Sequence, residues 1–416
     1  MQESIVQALR LHNNHSSFKL PVLARYISLT LLMLSSSLIH AAPIDQTQAY
    51  RIHQRLTGVP PSNTELARMI GEEPEAAALI AMENPAFYNV TLKNFVAPWT
   101  NEAQSVFVPL NDYTATVIGI IRDDLDFRSV LTDNIIYTGK SGLGISPYSN
   151  SNNDHYEELE QLGPVTGDLS DDTILQKNTQ TDITGLADSA TAGVMTTRAA
   201  AEAFFSAGTN RAMLRFTLMN HMCTDIDPLK DISRVPDRVR QDVSRSPGGD
   251  SRIYMFNCIG CHAGMDGLAG AYAYYDYNES TSSLEYNATE VAAKYLINSD
   301  NFKHGYITND DSWINYWRNG QNKLLGWSSS AVTGTLIDSK GHAAGNGAKS
   351  LGEELANSSA FARCQVKKVF QSVCLHDPDD YAADRSAVDT ITTNFTGAGN
   401  YSMKTVFAKV AAYCKE

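Results

Sequence analysis

A chain of 416 residues with 33 basic and 46 acidic side chains carries a formal charge of −13, and 43% of it is apolar. That length allows two domains of ordinary size, each with a real hydrophobic core. The acidic balance disfavours nucleic acid and anionic lipid as partners and favours a basic one.

The first 41 residues read as an export signal. Arg10, Lys19 and Arg25 form a positive leader, residues 27–39 an apolar stretch, and His40-Ala41-Ala42-Pro43 a small-residue cleavage region with the cut after Ala41. The apolar stretch falls short of the about 20 residues that a membrane span needs. No cysteine lies near the cut to take a lipid, so a periplasmic protein without a stable membrane anchor is expected. Removing 1–41 leaves 30 basic and 45 acidic residues, a net charge of −15.

Beyond the signal, 50–56 reads as a helix ending at Gly58, and Pro60-Pro61 breaks the chain. Ser62-Asn63-Thr64-Glu65 is a capping box that opens a helix carrying Leu66 and Met69, and another helix covers 75–82. The stretch 113–121 and the run through Arg122, Phe127, Val130, Leu131 and Ile135 both fit helical spacing. From 138 to 188 the composition turns to Gly, Ser, Asn, Asp and Thr, which predicts a long irregular linker. Within it Gly139-Lys140-Ser141 resembles the end of a phosphate-binding loop, but Asn134 stands where that loop requires glycine, which excludes nucleotide binding. Further helices are predicted over 196–206, 210–223, 288–297, 312–318, 348–355, 359–374 and 402–414. The chain thus divides into a helical N-terminal region, 42–137, the linker, 138–188, and a C-terminal region, 189–416.

Cys258-Ile259-Gly260-Cys261-His262 is the most specific motif. Two cysteines two residues apart followed directly by histidine form the attachment signature of a c-type haem. Each thiol makes a thioether to the porphyrin edge, and the adjacent histidine reaches the iron as an axial ligand. A zinc site would need a second close pair, which the scattered Cys223, Cys364, Cys374 and Cys414 do not supply. A redox dithiol belongs on a helix after a strand, whereas Gly248-Gly249-Asp250 and Gly264-Met265-Asp266-Gly267 on either side read as loops. An export signal and a CxxCH support one another, because haem attachment takes place outside the cytoplasmic membrane. The motif predicts one covalently bound haem c, held by Cys258 and Cys261 with its iron on His262. The expected fold class is mainly α: a helical N-terminal lobe plus a cytochrome c-like helical haem-binding lobe with long irregular loops.

The four remaining cysteines sit in an oxidising compartment and are expected to form two disulfides. Three pairings are open, with Cys374–Cys414 favoured because each residue closes a predicted helix.

Several patches beyond the CxxCH carry a family likeness: Met265-Asp266 with Gly267, Tyr275-Asp276, Ser359-Ala360-Phe361-Ala362-Arg363-Cys364, and Arg55-Leu56-Thr57-Gly58-Val59-Pro60-Pro61. With them the chain resembles exported bacterial proteins that carry a planctomycete-type cytochrome c haem module. It departs from that pattern in having Gly267 where proline is expected. The resemblance implies a haem protein of the cell envelope and leaves any substrate open.

The sixth iron position has five candidates, Met403, His304, His342, His221 and Met222, or it is open; Met265 follows the histidine too closely to reach the other ring face. Tyr272, Tyr274, Tyr275, Tyr277, Trp313, Trp317 and Trp327 read chiefly as core, Arg252 as a propionate partner, and Asp266 and Asp276 as turn residues. The expected function is electron transfer by an exported monohaem cytochrome with a basic redox partner protein. The alternatives are a haem-dependent oxidoreductase of peroxidase or oxygenase type, and an envelope protein in which haem is structural. No acid–base pair or nucleophile triad stands out.

Overall fold

The structure, a computed structural model, describes residues 42–296, 302–327 and 331–416. The export signal lies outside the described residues.

Capping chemistry sets the first helices. Asp45 accepts from the Gln48 amide and Gln48 returns the bond to Asp45, opening α1 (Gln46–Thr57), which ends on Gly58 in the left-handed conformation. The Ser62–Glu65 box opens α2 (Asn63–Met69) as its spacing predicts, and α3 (Pro74–Ala81) starts on a proline. Asn111 caps α4 (Asp112–Arg122), whose residues are all buried.

The helical spacing beyond Arg122 does not produce a continuous helix. Asp124 adopts φ 52°, the Leu125 amide closes back on the Ile120 carbonyl, and only one turn, Ser129–Thr132, follows before strand β1 (Ile136–Gly139). The polar stretch 138–188 carries its own structure: α5 (Asp154–Gln161) and β2 (Leu175–Asn178), which pairs antiparallel with β1. Its few apolar side chains account for this, since Tyr156, Leu159, Leu169 and Leu175 are all buried. Residues 43–416 form one compact unit.

Next come α6 (Arg198–Phe204), α7 (Arg211–Met222) and α8 (Ile259–Ala269), followed by the hairpin β3 (Tyr275–Asn278) and β4 (Ser283–Tyr286). Of the helix expected over 288–297, the described part contains a single turn, Ala293–Leu296. The helix expected over 312–318 is instead β5 (Ser312–Asn315) with one turn after it. Trp313 and Asn315 point inward, and pairing with a later strand overrides the local preference. That sheet comprises β5, β6 (Thr335–Ile337) and β7 (Ala343–Asn346), with β7 central.

The chain closes with α9 (Gly347–Ala356), α10 (Ser359–Cys374), α11 (Ala382–Thr396) and α12 (Met403–Tyr413). Helix α12 packs on α3, α10 and α11, while α7 packs on both α10 and α8. The molecule is therefore mainly α with small two- and three-stranded sheets. No helix among the described residues is long and apolar enough to cross a membrane.

Both expected disulfides are present. Cys374 joins Cys414, tying the ends of α10 and α12, and Cys223 joins Cys364, tying the end of α7 to α10. Cys258 and Cys261 remain free.

Candidate haem-attachment site

The CxxCH lies where a helical rod changes its winding. Asp250 caps the turn Ser251–Ile253, a wider π turn runs from Tyr254 to Cys258, and α8 continues from Ile259. Such local widening is frequent at functional positions. The segment Gly264-Met265-Asp266-Gly267, expected as a loop, is helix interior. Close packing explains its glycines. Gly260, Gly264 and Gly267 share the face of α8 that meets Lys230, the Trp317 indole and the Ile314 carbonyl, and a Cβ at any of them would collide. Proline at 267 would also remove a donor from the middle of this helix.

The helix places His262 and Asp266 one turn apart. The His262 Nδ1 lies 3.1 Å from the Asp266 Oδ1, with the Asp266 side chain fully buried and the His262 side chain 21% exposed. Among the described residues Nε2 of His262 has no hydrogen-bond partner, so the ring is held at one nitrogen and open at the other. A histidine that ligates a metal commonly donates its second ring N–H to a carboxylate in this way.

Asp266 is itself heavily supported. Arg211, the first residue of α7, donates from Nε to Oδ1 at 2.7 Å and from Nη2 to Oδ2 at 3.0 Å. The same guanidinium forks onto Asp242 at 2.8 and 2.9 Å. Arg240, almost fully buried, stands 4.0 Å from Asp266 and donates from Nη2 to the Thr209 hydroxyl oxygen at 2.7 Å. Among the described residues its Nε and Nη1 have no hydrogen-bond acceptor. Burial opposes charge on Asp266, but Arg211, Arg240 and the His262 bond outweigh it and hold the carboxyl well below the usual range. Arg211 is correspondingly raised: burial works against its charge, and Asp266 and Asp242 overcome that.

The two thiols differ in surroundings. Cys258 packs against Val239, Val243, Tyr254 and Ile259, whereas Cys261 packs against the main core. Burial pushes the Cys261 thiol up, which favours the protonated thiol over the thiolate. Just before the motif Ile253, Met255 and Phe256 are exposed, Phe256 by 73%, and Ile232, which adjoins Gly260, is exposed by 70%. Apolar side chains left in water next to the CxxC segment fit a bulky apolar prosthetic group. Among the described residues no three His, Cys, Asp or Glu side chains gather as a metal cluster.

The candidates for a sixth ligand are dispersed. His221 is buried with Nε2 2.9 Å from the Tyr113 hydroxyl, and the Met222 sulfur accepts from Ser358 at 3.7 Å. Met403 is buried at the start of α12. His342 is bound through Nδ1 to Asp338 at 3.0 Å and lines a cleft of about 560 Å³ with Tyr316. Tyr316 faces Gly267, on the opposite side of α8 from His262. His304 is exposed on the segment whose Tyr306 hydrogen-bonds to Val239 and Gln241, beside the apolar neighbours of Cys258.

Two expectations are corrected. Asp266 is no turn residue but the partner of His262, and Asp276 lies in β3 paired with Lys294 at 2.7 Å. Arg252 is 81% exposed and committed to Asp250. The aromatic group is largely core, with Tyr272, Tyr275, Trp313 and Trp317 at 1% exposure or less. Sequence reading missed Arg211, Arg240 and Asp242. The spacing of four between His262 and Asp266 was the available signal, once the segment is read as helix.

Comparison with protein-family models, with curated proteins and with solved structures finds no match for this chain.

Proposed function

We propose that the chain is an exported, periplasmic monohaem c-type cytochrome that transfers single electrons. One haem would be attached through Cys258 and Cys261, with Nε2 of His262 on the iron. The observation that carries this reading is the division of labour among the cysteines and histidine. Four cysteines are consumed in disulfides, the CxxC pair is free, and among the described residues the adjoining imidazole is anchored at Nδ1 alone. When bound, the haem supplies a one-electron Fe(III)/Fe(II) couple. The chain's own residues do the rest. Asp266 fixes the proton of His262 on Nδ1 and the plane of the ring. The exposed Ile253, Met255 and Phe256 would lose their water against a bound haem, and the acidic surface would steer a basic redox partner.

The test is purification from a periplasm competent for cytochrome maturation, followed by a pyridine haemochrome spectrum and a mass measurement. One haem per chain supports the reading, and a colourless protein of bare polypeptide mass refutes it.

A second reading, a haem-dependent oxidoreductase, draws on the dispersion of the sixth-ligand candidates, since His221 and Met222 already have partners elsewhere. An open sixth position permits small-molecule chemistry. Ready carbon monoxide binding by the reduced protein favours this reading, whereas no binding with fast reversible reduction favours transfer. A haem that neither exchanges electrons nor binds ligands is structural. His304→Ala is the first ligand variant to compare, because its segment adjoins the neighbours of Cys258.

A further inference from the structure

The cluster under His262 has more charge than is needed to orient one ring. Two aspartates, Asp266 and Asp242, are bridged by one guanidinium, and a second guanidinium stands within 4.0 Å of both. Holding the ring in place needs a single acceptor. A backbone carbonyl would serve, without the cost of a buried ionic group. The carboxylate adds a full negative charge on the far side of the imidazole, and that charge raises the donor strength of the ring toward a metal.

The arginines act on the same quantity in the opposite direction. Arg211 makes two hydrogen bonds to Asp266 and two to Asp242, so it draws negative charge away from the oxygen that accepts from His262. Asp266 Oδ1 is shared by Nδ1 of His262 at 3.1 Å and Nε of Arg211 at 2.7 Å. The two donors compete for one oxygen. The α7–α8 crossing fixes their balance, and Asn210 sets it by anchoring the start of α7 to the Tyr272 and Tyr275 carbonyls at 2.8 and 2.9 Å.

We infer that Asp266 and Arg211 are opposed positioning residues that set the reduction potential of the group on His262, Asp266 lowering it and Arg211 restoring it. The inference rests on the haem reading above and adds the residues that tune it. Asp266 strengthens the imidazole as a donor and so stabilises the oxidised, more positive iron. Arg211 weakens that effect by competing for Oδ1.

The experiment is redox titration of the purified holoprotein and of Asp266→Asn, Arg211→Gln and Arg211→Lys, with haem content of each measured by pyridine haemochrome. Asp266→Asn is expected to raise the potential and Arg211→Gln to lower it, each by at least tenfold in the reduction equilibrium, about 59 mV for one electron. Arg211→Lys, which keeps the charge, is expected to stay closer to wild type than Arg211→Gln. Potentials that do not move, or that move in the same direction in Asp266→Asn and Arg211→Gln, overturn the inference, because mere loosening of the site has no reason to give opposite signs. Should Asp266→Asn fail to fold, the sign of Arg211→Gln against Arg211→Lys decides. A wild-type protein without haem refutes the cytochrome reading itself; a haem-loaded protein with unmoved potentials refutes the tuning alone.

Discussion

Arg318 and Glu354 meet as a buried two-pronged ion pair, Nη2 to Oε2 at 2.7 Å and Nε to Oε1 at 2.8 Å, with side chains 3% and 0% exposed. Glu354 Oε1 also accepts from Nδ2 of Asn315 at 2.8 Å. This pins the end of β5 and the turn after it to α9, and the same turn carries Trp317 against the glycine face of α8. The pair thus supports the wall on which the CxxCH helix rests.

Removing Glu354 takes a two-pronged carboxylate from a buried guanidinium. Glu354→Ala is expected to cost about 3–5 kcal/mol. Replacing both residues together should cost less than the sum of the single losses, since the two side chains are in direct contact and their effects are coupled. Urea unfolding of the two single variants and the double variant checks both statements, and an additive cycle would count against the pair.

Gly264 offers a test in which propensity and packing have opposite signs. In an exposed helix Gly→Ala stabilises by about 0.5–1 kcal/mol. Here the added Cβ would overlap the Trp317 indole, so Gly264→Ala is expected to destabilise by about 1–3 kcal/mol. Trp317→Phe in the same background should recover part of the loss. The midpoint of thermal unfolding reads the sign, and a Gly264→Ala protein more stable than wild type would remove the close-packing explanation for this face.

The parts of the molecule that sequence made legible are those held by local chemistry. The 359–374 helix matches its expected extent, with Ser358 capping Phe361 and apolar residues returning at helical spacing. The Ser62–Glu65 box likewise needs only neighbours in sequence. The failures have a common cause in distant partners. Trp313 and Ile314 are as compatible with a helix as with β5, and only pairing with β7, some thirty residues on, makes the choice. At the site, the CxxCH is local and was read directly. Asp266 was hidden by glycines that resemble a loop, but that here let α8 lie against β5. Arg211 and Arg240 come to Asp266 across 55 and 26 residues, a juxtaposition with no local trace.

The two disulfides close loops of different size, joining residues 40 and 141 apart in sequence. Each should stabilise by about 2–4 kcal/mol through restriction of the unfolded chain, with the longer loop worth somewhat more. The double variants Cys374→Ser with Cys414→Ser, and Cys223→Ser with Cys364→Ser, are expected to rank in that order. Denaturant unfolding of each measures the cost. Peptide mapping without reduction should recover the two linked pairs, and any link from Cys258 or Cys261 to these four cysteines would contradict the assignment.

His221 predicts how the molecule responds to acid. It is buried, with Nε2 2.9 Å from the Tyr113 hydroxyl and its ring between Trp99 and Phe361 at centroid distances of 5.5 and 6.4 Å. Burial first, and then the nearby Lys368 charge, hold the imidazole well below 6.5. Once unfolded it takes up a proton near pH 6.5. Below that pH the unfolded chain therefore binds more protons than the native one, and stability falls as pH falls until the native group also titrates; above it His221 contributes no pH dependence. The slope from this single group is at most about 1.4 kcal/mol per pH unit. Asp266 works in the same direction only at lower pH, where an unfolded aspartate begins to bind protons, near about 4. Chemical denaturation between about pH 7 and about pH 5 should show the loss in wild type and a slope shallower by about one proton in His221→Gln. Equal slopes in the two proteins would mean that His221 takes up its proton in the native core as readily as in the unfolded chain.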